Sequence, residues 1–174
     1  LLGKVPSPKI LLKAFEEVKP NLILTVPLIL EKIYKKMILP QLSKTTMKVA
    51  LNIPLLDSRI YAQIRKKLVD AFGGRFREVI VGGAAMNEEV TNFLYKIKFP
   101  FTIGYGMTEC GPLISYDHND EYVPGSCGQI LKGIMKVRID SEDPYNKVGE
   151  IQVSGENVMK GYYKNEEATS KVFT

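Results

Sequence analysis

Tryptophan is absent from this 174-residue sequence, histidine occurs once and cysteine twice, and these shortages argue against several kinds of site. The two cysteines, Cys110 and Cys127, do not follow the spacing of metal ligands, and His118 is the only histidine. A zinc site or a Cys–His catalytic pair is therefore not expected. Because no disulfide pattern is present either, the sequence favours a reducing compartment, and we expect a cytoplasmic protein.

The sequence also lacks a hydrophobic run long enough to cross a bilayer. Its longest apolar stretch, PNLILTVPLIL, is interrupted by Pro27 and is too short. No initiator methionine and no signal peptide are visible at its beginning, LLGKVPSPKI. We therefore expect an internal fragment of a longer protein, with no membrane anchor in this segment.

Positive charge is in moderate excess, with 24 lysines and arginines against 19 acidic residues and a formal net charge of +5. Such an excess could suit nucleic acid, anionic lipid or a phosphorylated ligand. The clusters Lys35-Lys36 and Arg65-Lys66-Lys67 lie opposite apolar stripes, and they lack the interleaved aromatic residues that single-strand binding needs. The simplest interpretation is a solvated surface, and we expect no nucleic-acid partner.

Four stretches carry the hydrophobic spacing of amphipathic helices. The first follows Ser7, the second follows Pro27, the third begins near Ser58 and ends at Gly73-Gly74, and Asn87 caps the fourth. The residues expected to face inward are, in chain order, Leu11, Ala14, Phe15 and Val18; Leu30, Ile33, Tyr34 and Met37; Ile60, Ile64, Leu68 and Phe72; and Val90, Phe93, Leu94 and Ile97.

Short, nearly continuous apolar runs alternate with these helices: NLILTV, FREVIVGG and FTIGYG. The alternation predicts an α/β architecture, and such runs are typical of parallel strands covered on both faces. After Pro124, MKVRID and GEIQVSG alternate apolar with polar residues, which predicts antiparallel strands joined by a hairpin loop. We expect part of a parallel-sheet α/β subdomain in residues 1–124 and the start of an antiparallel β-rich subdomain in residues 125–174. Residues 40–57 give no clear pattern.

Two glycine-rich segments follow these apolar runs, and the first is VGGAAM at residues 81–86. Gly82 and Gly83 have no side chain that would keep a flat ligand away from the backbone. The helix that follows has N-terminal amide groups, which favour an anion nearby. The alternative is an ordinary turn in which glycine relieves crowding.

The second segment, GYGMTE at residues 104–109, brings an aromatic ring, a hydroxyl and a carboxylate to a strand end. If the two segments are neighbours at the carboxyl edge of a sheet, they form one crevice. There Tyr105 could lie against a base, Thr108 could hydrogen-bond a phosphate oxygen, and Glu109 could hold a magnesium ion. The alternative is a core tyrosine, a capping threonine and a solvated glutamate. A dinucleotide fingerprint does not fit, because Glu109 stands where its third glycine belongs.

The acidic stretches do not form a metal motif. YDHNDEY, at residues 116–122, lacks an established ligand spacing and is interpreted as a polar surface loop. DSEDPYNKVGE fails as a calcium loop, because Pro144 occupies a ligand position and the sharp turn has no glycine.

The motifs together resemble those of a known family. GYGMTE is similar to the fifth core motif of the adenylate-forming enzymes, which comprise acyl-CoA synthetases, luciferases and peptide-synthetase adenylation domains. GEIQVSGENVMKGYYKNEEAT resembles the next core motif, and VGGAAM resembles the earlier segment that contacts adenine. PNLILTVPLILEKIY and AFGGRFREVIVGGAAM resemble the long-chain fatty acid–CoA ligase branch. The resemblance covers nearly the whole chain and is weakest in residues 40–57.

The resemblance implies roles for individual residues. Tyr105 would stack on the adenine, Thr108 would be the polar contact to the phosphates or the acyl carboxylate, and Glu109 would be the magnesium ligand. Thr108 and Glu109 are thus the residues implied in catalysis. The full nucleotide-binding set that it implies is Gly82, Gly83, Ala84, Tyr105, Gly106, Met107 and Thr108.

The implied reaction has two steps. The carboxylate of a fatty acid attacks the α-phosphorus of ATP to give an acyl-adenylate and pyrophosphate, and the thiol of coenzyme A then displaces AMP. ATP, Mg²⁺ and coenzyme A are thus implied, and a lipid substrate is compatible with peripheral membrane contact of the longer enzyme. The fragment alone is expected to be inactive, because the family's upstream phosphate loop and its C-terminal domain are missing from it.

Two other interpretations stay open. An adenylate-forming enzyme could use another acid or acceptor, as acyl-acyl-carrier-protein ligases and peptide-synthetase modules do. A non-catalytic basic module would instead bind nucleic acid or anionic lipid in a salt-sensitive way, and substitution of Tyr105 or Glu109 would leave that binding unchanged.

Overall fold

The computed structural model describes residues 7–174, apart from the side chain of Pro8, and divides the chain into two compact units. The first unit comprises the chain up to Ile103 together with His118–Ser126. The second comprises Gly104–Asp117 and Cys127–Thr174. The expected division into residues 1–124 and 125–174 stays a prediction.

The first unit contains all four helices that the sequence predicts. Ser7 Oγ accepts a hydrogen bond from the amide of Ile10 at 3.4 Å, and Asn87 Oδ1 accepts one from Val90 at 3.3 Å, so both expected caps are present. Across residues 7–174, no helix is long and apolar enough to cross a membrane. The helices of this unit are α1 (Pro8–Val18), α2 (Pro27–Ile33), α3 (Leu39–Leu42), α4 (Thr45–Leu51), α5 (Leu56–Ala71) and α6 (Glu88–Lys96).

Helix α2 continues into a π-helical turn, Tyr34–Ile38, which changes the residue that faces the core. The amide of Leu39 donates to the carbonyl of Tyr34, five residues earlier. This turn holds one residue more than an α-helical turn, so the apolar stripe shifts by one position. Met37, which the sequence places inside, is 43% exposed, whereas Ile38 is 5% exposed. The prediction for Met37 is therefore wrong.

Three parallel strands form the sheet of the first unit, as the sequence predicts. The strands are β1 (Leu22–Thr25), β2 (Glu78–Val81) and β3 (Phe101–Ile103), in the order β1-β2-β3. Val79 and Val81 of the central strand are fully buried. Leu24 of β1 is 75% exposed, so the expectation of strands covered on both faces holds for β2 but is wrong for β1.

The segment after His118 belongs to the first unit through buried contacts. The carboxylate of Glu78, a residue only 4% exposed, accepts hydrogen bonds from the backbone and side-chain amides of Asn119 at 3.1 and 3.2 Å. Tyr122 is buried against the ring of Phe101, with 4.9 Å between ring centroids. The interpretation of this stretch as a polar surface loop is therefore wrong for Asn119 and Tyr122, which hold it to the sheet.

The second unit is built from two antiparallel strand pairs and one helix. Strand β4 (Tyr105–Gly106) pairs with β5 (Leu113–Ser115), and β6 (Met135–Asp140) pairs with β7 (Glu150–Gly155) in the predicted hairpin. Helix α7 spans Glu166–Val172. Cys110, Ile114 and Met135 form the buried centre of this second unit. The mixed α/β class, with a parallel sheet followed by antiparallel strands, is thus confirmed.

Candidate active site

The first glycine-rich segment begins where β2 ends. Val81, its first residue, pairs with Thr25 on one side and with Ile103 on the other, so it lies at the carboxyl edge of the parallel sheet. The amide of Gly82 donates to the carbonyl of Thr25 at 3.1 Å, which continues the strand pairing by one residue. Gly83 then adopts φ +84°, a conformation that an L side chain rarely takes. Both Gly83 and Ala84 are exposed, so their backbone is open to a ligand.

Helix α2 fixes the far end of this segment. Glu31 Oε1 accepts the amide of Asn87 at 3.0 Å, and the hydroxyl of Tyr34 donates to Glu89 Oε1 at 2.9 Å. Burial, together with the Glu89 carboxylate, raises the pKa of Tyr34 to about 12, so this hydroxyl keeps its proton and remains a donor. The segment is therefore held at one end by β1 and at the other by α2.

The second glycine-rich segment forms a tight hairpin in the second unit. Strand β4 leads into a 3₁₀ turn, Thr108–Cys110, and β5 returns beside it. The amide of Met107 donates to the carbonyl of Pro112 at 2.8 Å, and a Cβ on Gly106 would overlap that same oxygen. Glycine at position 106 is thus required by the close approach of the two strands.

The side chains of this hairpin differ in exposure. Tyr105 and Met107 are half-buried and pack against the buried centre of the second unit, so part of the tyrosine ring serves the core, as the alternative interpretation anticipates. Thr108 is exposed on the 3₁₀ turn, and Glu109 is half-exposed beside it. The turn therefore presents a hydroxyl and a carboxylate to solvent.

Glu109 is bound to the segment that follows β7. Its Oε1 accepts the hydroxyl of Tyr162 at 2.6 Å, and its carbonyl accepts the amide of Met159 at 2.7 Å. The tyrosine hydrogen bond lowers the pKa of the Glu109 carboxyl, and the same bond raises the pKa of Tyr162. The carboxylate is thus kept ionised, which is the form that a cation requires.

Magnesium fits this arrangement better than a metal that needs a cage of protein ligands. Among residues 7–174, no group of three or more His, Cys, Asp or Glu side chains is placed to hold a metal ion. Mg²⁺ is commonly bound by one or two carboxylates together with substrate phosphates and water. Glu109, ionised and half-exposed, has the chemistry for that kind of site.

Comparison with known proteins identifies the family. The model of the AMP-binding enzyme family matches residues 2–163. The chain belongs to the AMP-binding enzymes. Among curated relatives, long-chain-fatty-acid–CoA ligase 1 of Saccharomyces cerevisiae is 28% identical over 91% of this chain and 25% of its own length. Another relative, 4-coumarate–CoA ligase 1 of Narcissus pseudonarcissus, is 33% identical over 68% of this chain and 24% of its own length.

Solved structures agree with this membership at the level of the fold. O-succinylbenzoate coenzyme A synthetase of Bacillus subtilis, in complex with ATP and magnesium ion, is 21% identical with a TM-score of 0.64. The alignment covers 97% of this chain and 30% of that structure. A double mutant of the same synthetase, bound to a product analogue, gives a TM-score of 0.66 at 22% identity, over 97% of this chain and 29% of that one. The chain thus spans about a quarter of the length of these two curated relatives and a little under a third of these two solved structures.

The resemblance of the motifs to adenylate-forming enzymes is therefore confirmed, and the placement of the site residues can be compared with it. The structure puts Gly82, Gly83 and Ala84 in the first unit. It puts Tyr105, Gly106, Met107, Thr108 and Glu109 together on one hairpin of the second. Their roles at a nucleotide, and the single crevice expected from the two segments, stay predictions.

Sequence reasoning missed the residues that support Glu109. Tyr162 lies 53 positions from Glu109, within GEIQVSGENVMKGYYKNEEAT, where the resemblance implied no role for it. Asn157 lies in the same region, and its Nδ2 donates to the carbonyl of Cys110 at 2.6 Å. The only available indication was that the two motifs occur in one family pattern, and periodicity does not reveal such a pairing.

Proposed function

We propose that this chain is the central part of an ATP-dependent acid–thiol ligase, which converts a long-chain fatty acid to an acyl-adenylate and then to acyl-CoA. The observation that carries the proposal is the 3₁₀ turn that carries Thr108 and Glu109 as consecutive residues, within a chain that belongs to the AMP-binding enzymes. Adenylation needs such groups, because it brings the carboxylate of the acid against the phosphates of ATP.

In this proposal each residue has a physical task. Glu109 holds a magnesium ion, which would neutralise phosphate charge when bound. The Thr108 hydroxyl donates to a phosphate or carboxylate oxygen, and the exposed part of the Tyr105 ring orients the adenine. Gly82, Gly83 and Ala84 are the proposed nucleotide contacts of the first unit, and Gly106 and Met107 are those of the second. The exposure of Gly83 and Ala84 supports the proposed contact of the first segment with the nucleotide.

The acid is proposed to be a long-chain fatty acid. The similarity to the yeast long-chain ligase covers 91% of this chain, a larger share than the 68% covered by the coumarate ligase of Narcissus pseudonarcissus. The second candidate is an aromatic acid such as coumarate, which the higher identity of that plant relative, 33% against 28%, favours. Coenzyme A is the proposed thiol, in keeping with the names of both relatives.

Acid-dependent exchange between pyrophosphate and ATP tests this function. The assay uses a protein that contains this chain and is as long as its relatives. The acids are palmitate, oleate, octanoate and 4-coumarate, each followed by a test of acyl transfer to coenzyme A. Glu109→Ala and Tyr105→Ala are compared with Glu156→Ala, an exposed carboxylate on the same unit that serves as the matched control. The 174-residue chain alone is expected to give no turnover.

Long-chain exchange that is lost in Glu109→Ala and retained in Glu156→Ala is the expected result. Exchange with coumarate alone would replace the fatty acid in the proposal with the second candidate. Exchange that survives Glu109→Ala would move the metal site elsewhere. A folded protein that binds ATP but exchanges with no acid would refute adenylation.

A further inference from the structure

Tyr162 is the side chain that contacts the proposed metal ligand. Its hydroxyl donates to Glu109 Oε1 at 2.6 Å, and the backbone amide of Glu109 is a second hydrogen-bond donor to the same carboxylate. Tyr162 is 38% exposed, so its ring is not a core residue whose packing would explain its presence. The short bond to an ionised acceptor is the main contact that distinguishes it from its neighbour Tyr163, which is 87% exposed.

The backbone on both sides of this hydrogen bond is fixed. The carbonyl of Glu109 accepts the amide of Met159 at 2.7 Å, three residues before Tyr162. The amide of Tyr162 donates to Thr169 Oγ1 at 2.9 Å, and that hydroxyl in turn donates to the carbonyl of Asn165 at 2.8 Å. The tyrosine is thus tied to helix α7, while the glutamate is tied to the chain that leads to the tyrosine.

We propose that Tyr162 is a positioning residue for the divalent cation, because its hydroxyl holds the Glu109 carboxylate in one orientation in which its remaining lone pairs can bind the metal. The proposal rests on the metal role of Glu109 in the proposed function. Tyr162 touches neither the substrate nor the metal in this arrangement and acts only through Glu109.

The physical reason lies in the freedom of a glutamate side chain. An exposed glutamate samples several rotamers, and fixing one of them when a metal binds costs conformational entropy. A hydrogen bond that already selects the orientation removes part of this cost. Loss of such outer partners typically weakens metal binding about 10–100-fold, and the exposed position of this pair places the expectation near the lower end, about tenfold.

The experiment measures the affinity of the protein, at the length of its relatives, for a non-hydrolysable ATP analogue by calorimetry. The ATP analogue is titrated into each variant twice, once in the presence of Mg²⁺ and once in the presence of a chelator. The ratio of the two dissociation constants is the gain in affinity that the metal provides. Tyr162→Phe removes only the hydroxyl, and Tyr163→Phe makes the same change next to it. Glu109→Gln removes the ligand charge, and Thr169→Val removes the bond that holds the backbone of Tyr162.

Tyr162→Phe is expected to reduce the gain from Mg²⁺ about tenfold and to leave the affinity in chelator unchanged. Thr169→Val should give a smaller loss of the same kind, and Tyr163→Phe none. A merely structural role would weaken binding with and without the metal alike, and that result would overturn the proposal.

The remaining outcomes separate this inference from the function on which it rests. If Glu109→Gln abolishes the gain from Mg²⁺ while Tyr162→Phe retains it, Glu109 is a metal ligand and the positioning role of Tyr162 is wrong. A loss in Thr169→Val without one in Tyr162→Phe would likewise overturn the role of the hydroxyl. If Glu109→Gln keeps the full gain, the metal role of Glu109 fails and takes this inference with it.

Discussion

Replacing Gly106 with alanine tests how the turn that carries Thr108 and Glu109 is supported. A Cβ at position 106 would overlap the carbonyl oxygen of Pro112, the same oxygen that accepts the amide of Met107. The backbone of Gly106 is not in the left-handed region, so the substitution adds no backbone strain and its effect is steric. Strands β4 and β5 must separate to make room for the methyl group.

The expected loss in the free energy of unfolding is about 1.5–4.5 kcal/mol. Overpacking a close contact costs about 1–3 kcal/mol, and the lost Met107–Pro112 hydrogen bond adds about 0.5–1.5 kcal/mol. Gly133→Ala is the matched control in the same unit, since Gly133 has φ +81° and nothing lies within 4 Å of an added Cβ. That variant should cost only about 1 kcal/mol of backbone strain.

Urea unfolding, monitored by far-ultraviolet circular dichroism, gives the free energy of unfolding of both variants. Hydrogen–deuterium exchange of a peptide that covers residues 105–115 adds a local measurement, because separation of β4 from β5 exposes the amide of Met107. Faster exchange in that peptide is expected for Gly106→Ala and not for Gly133→Ala. A Gly106→Ala variant as stable as Gly133→Ala, with the amide still protected, would refute the steric reasoning.

Three further predictions follow from burial and charge. Cys127 is exposed and Cys110 is buried with a raised thiol pKa, so a disulfide reagent should modify one thiol rapidly and the second only on unfolding, as counted by absorbance. The pKa of Tyr34 rises from 10.0 to about 12, mainly through burial. The stability that this residue contributes is therefore present below pH 10 and is lost between about pH 10 and 12. In thermal unfolding, the Tyr34→Phe variant should lack this part of the loss of stability at alkaline pH. Replacing Leu94, which is 3% exposed, with alanine should lower the free energy of unfolding, measured in urea, by about 2–5 kcal/mol. The same replacement at the exposed Asn92 should change it by less than about 0.5 kcal/mol.

The elements that the sequence predicts correctly are those with a local pattern. Helix α6 is an example: Asn87 caps it, and Val90, Leu94 and Ile97 recur on one face and are all buried. Caps and periodic apolar residues act over a few positions, so the chain records them directly. The same holds for the β6–β7 hairpin, where alternation matches the pairing of Val137 with Val153.

Two of the errors occur where a residue has a partner far away along the chain. The apolar spacing after Pro27 continues as an α-helix in the sequence, yet the chain forms a π-helical turn at Tyr34, whose hydroxyl is bound to Glu89 of another helix. Likewise, the polar stretch after Asp117 looks solvated until Asn119 meets the buried carboxylate of Glu78, 41 positions away. Neither partner can be located from spacing alone.

The candidate site divides in the same way. Thr108 and Glu109 can be selected from the sequence as candidates, because a hydroxyl and a carboxylate follow glycines at a strand end, and their roles stay predictions. Their support cannot be located in this way, because the turn is irregular and is held by separate hydrogen bonds from another segment: Asn157 to the carbonyl of Cys110, Met159 to the carbonyl of Glu109, and Tyr162 to the carboxylate of Glu109. A sheet ladder repeats its bonds and tolerates the loss of one, whereas each bond of this turn has no repeat along the chain. Substitutions after β7 should therefore act on the site more strongly than their exposure on the surface indicates.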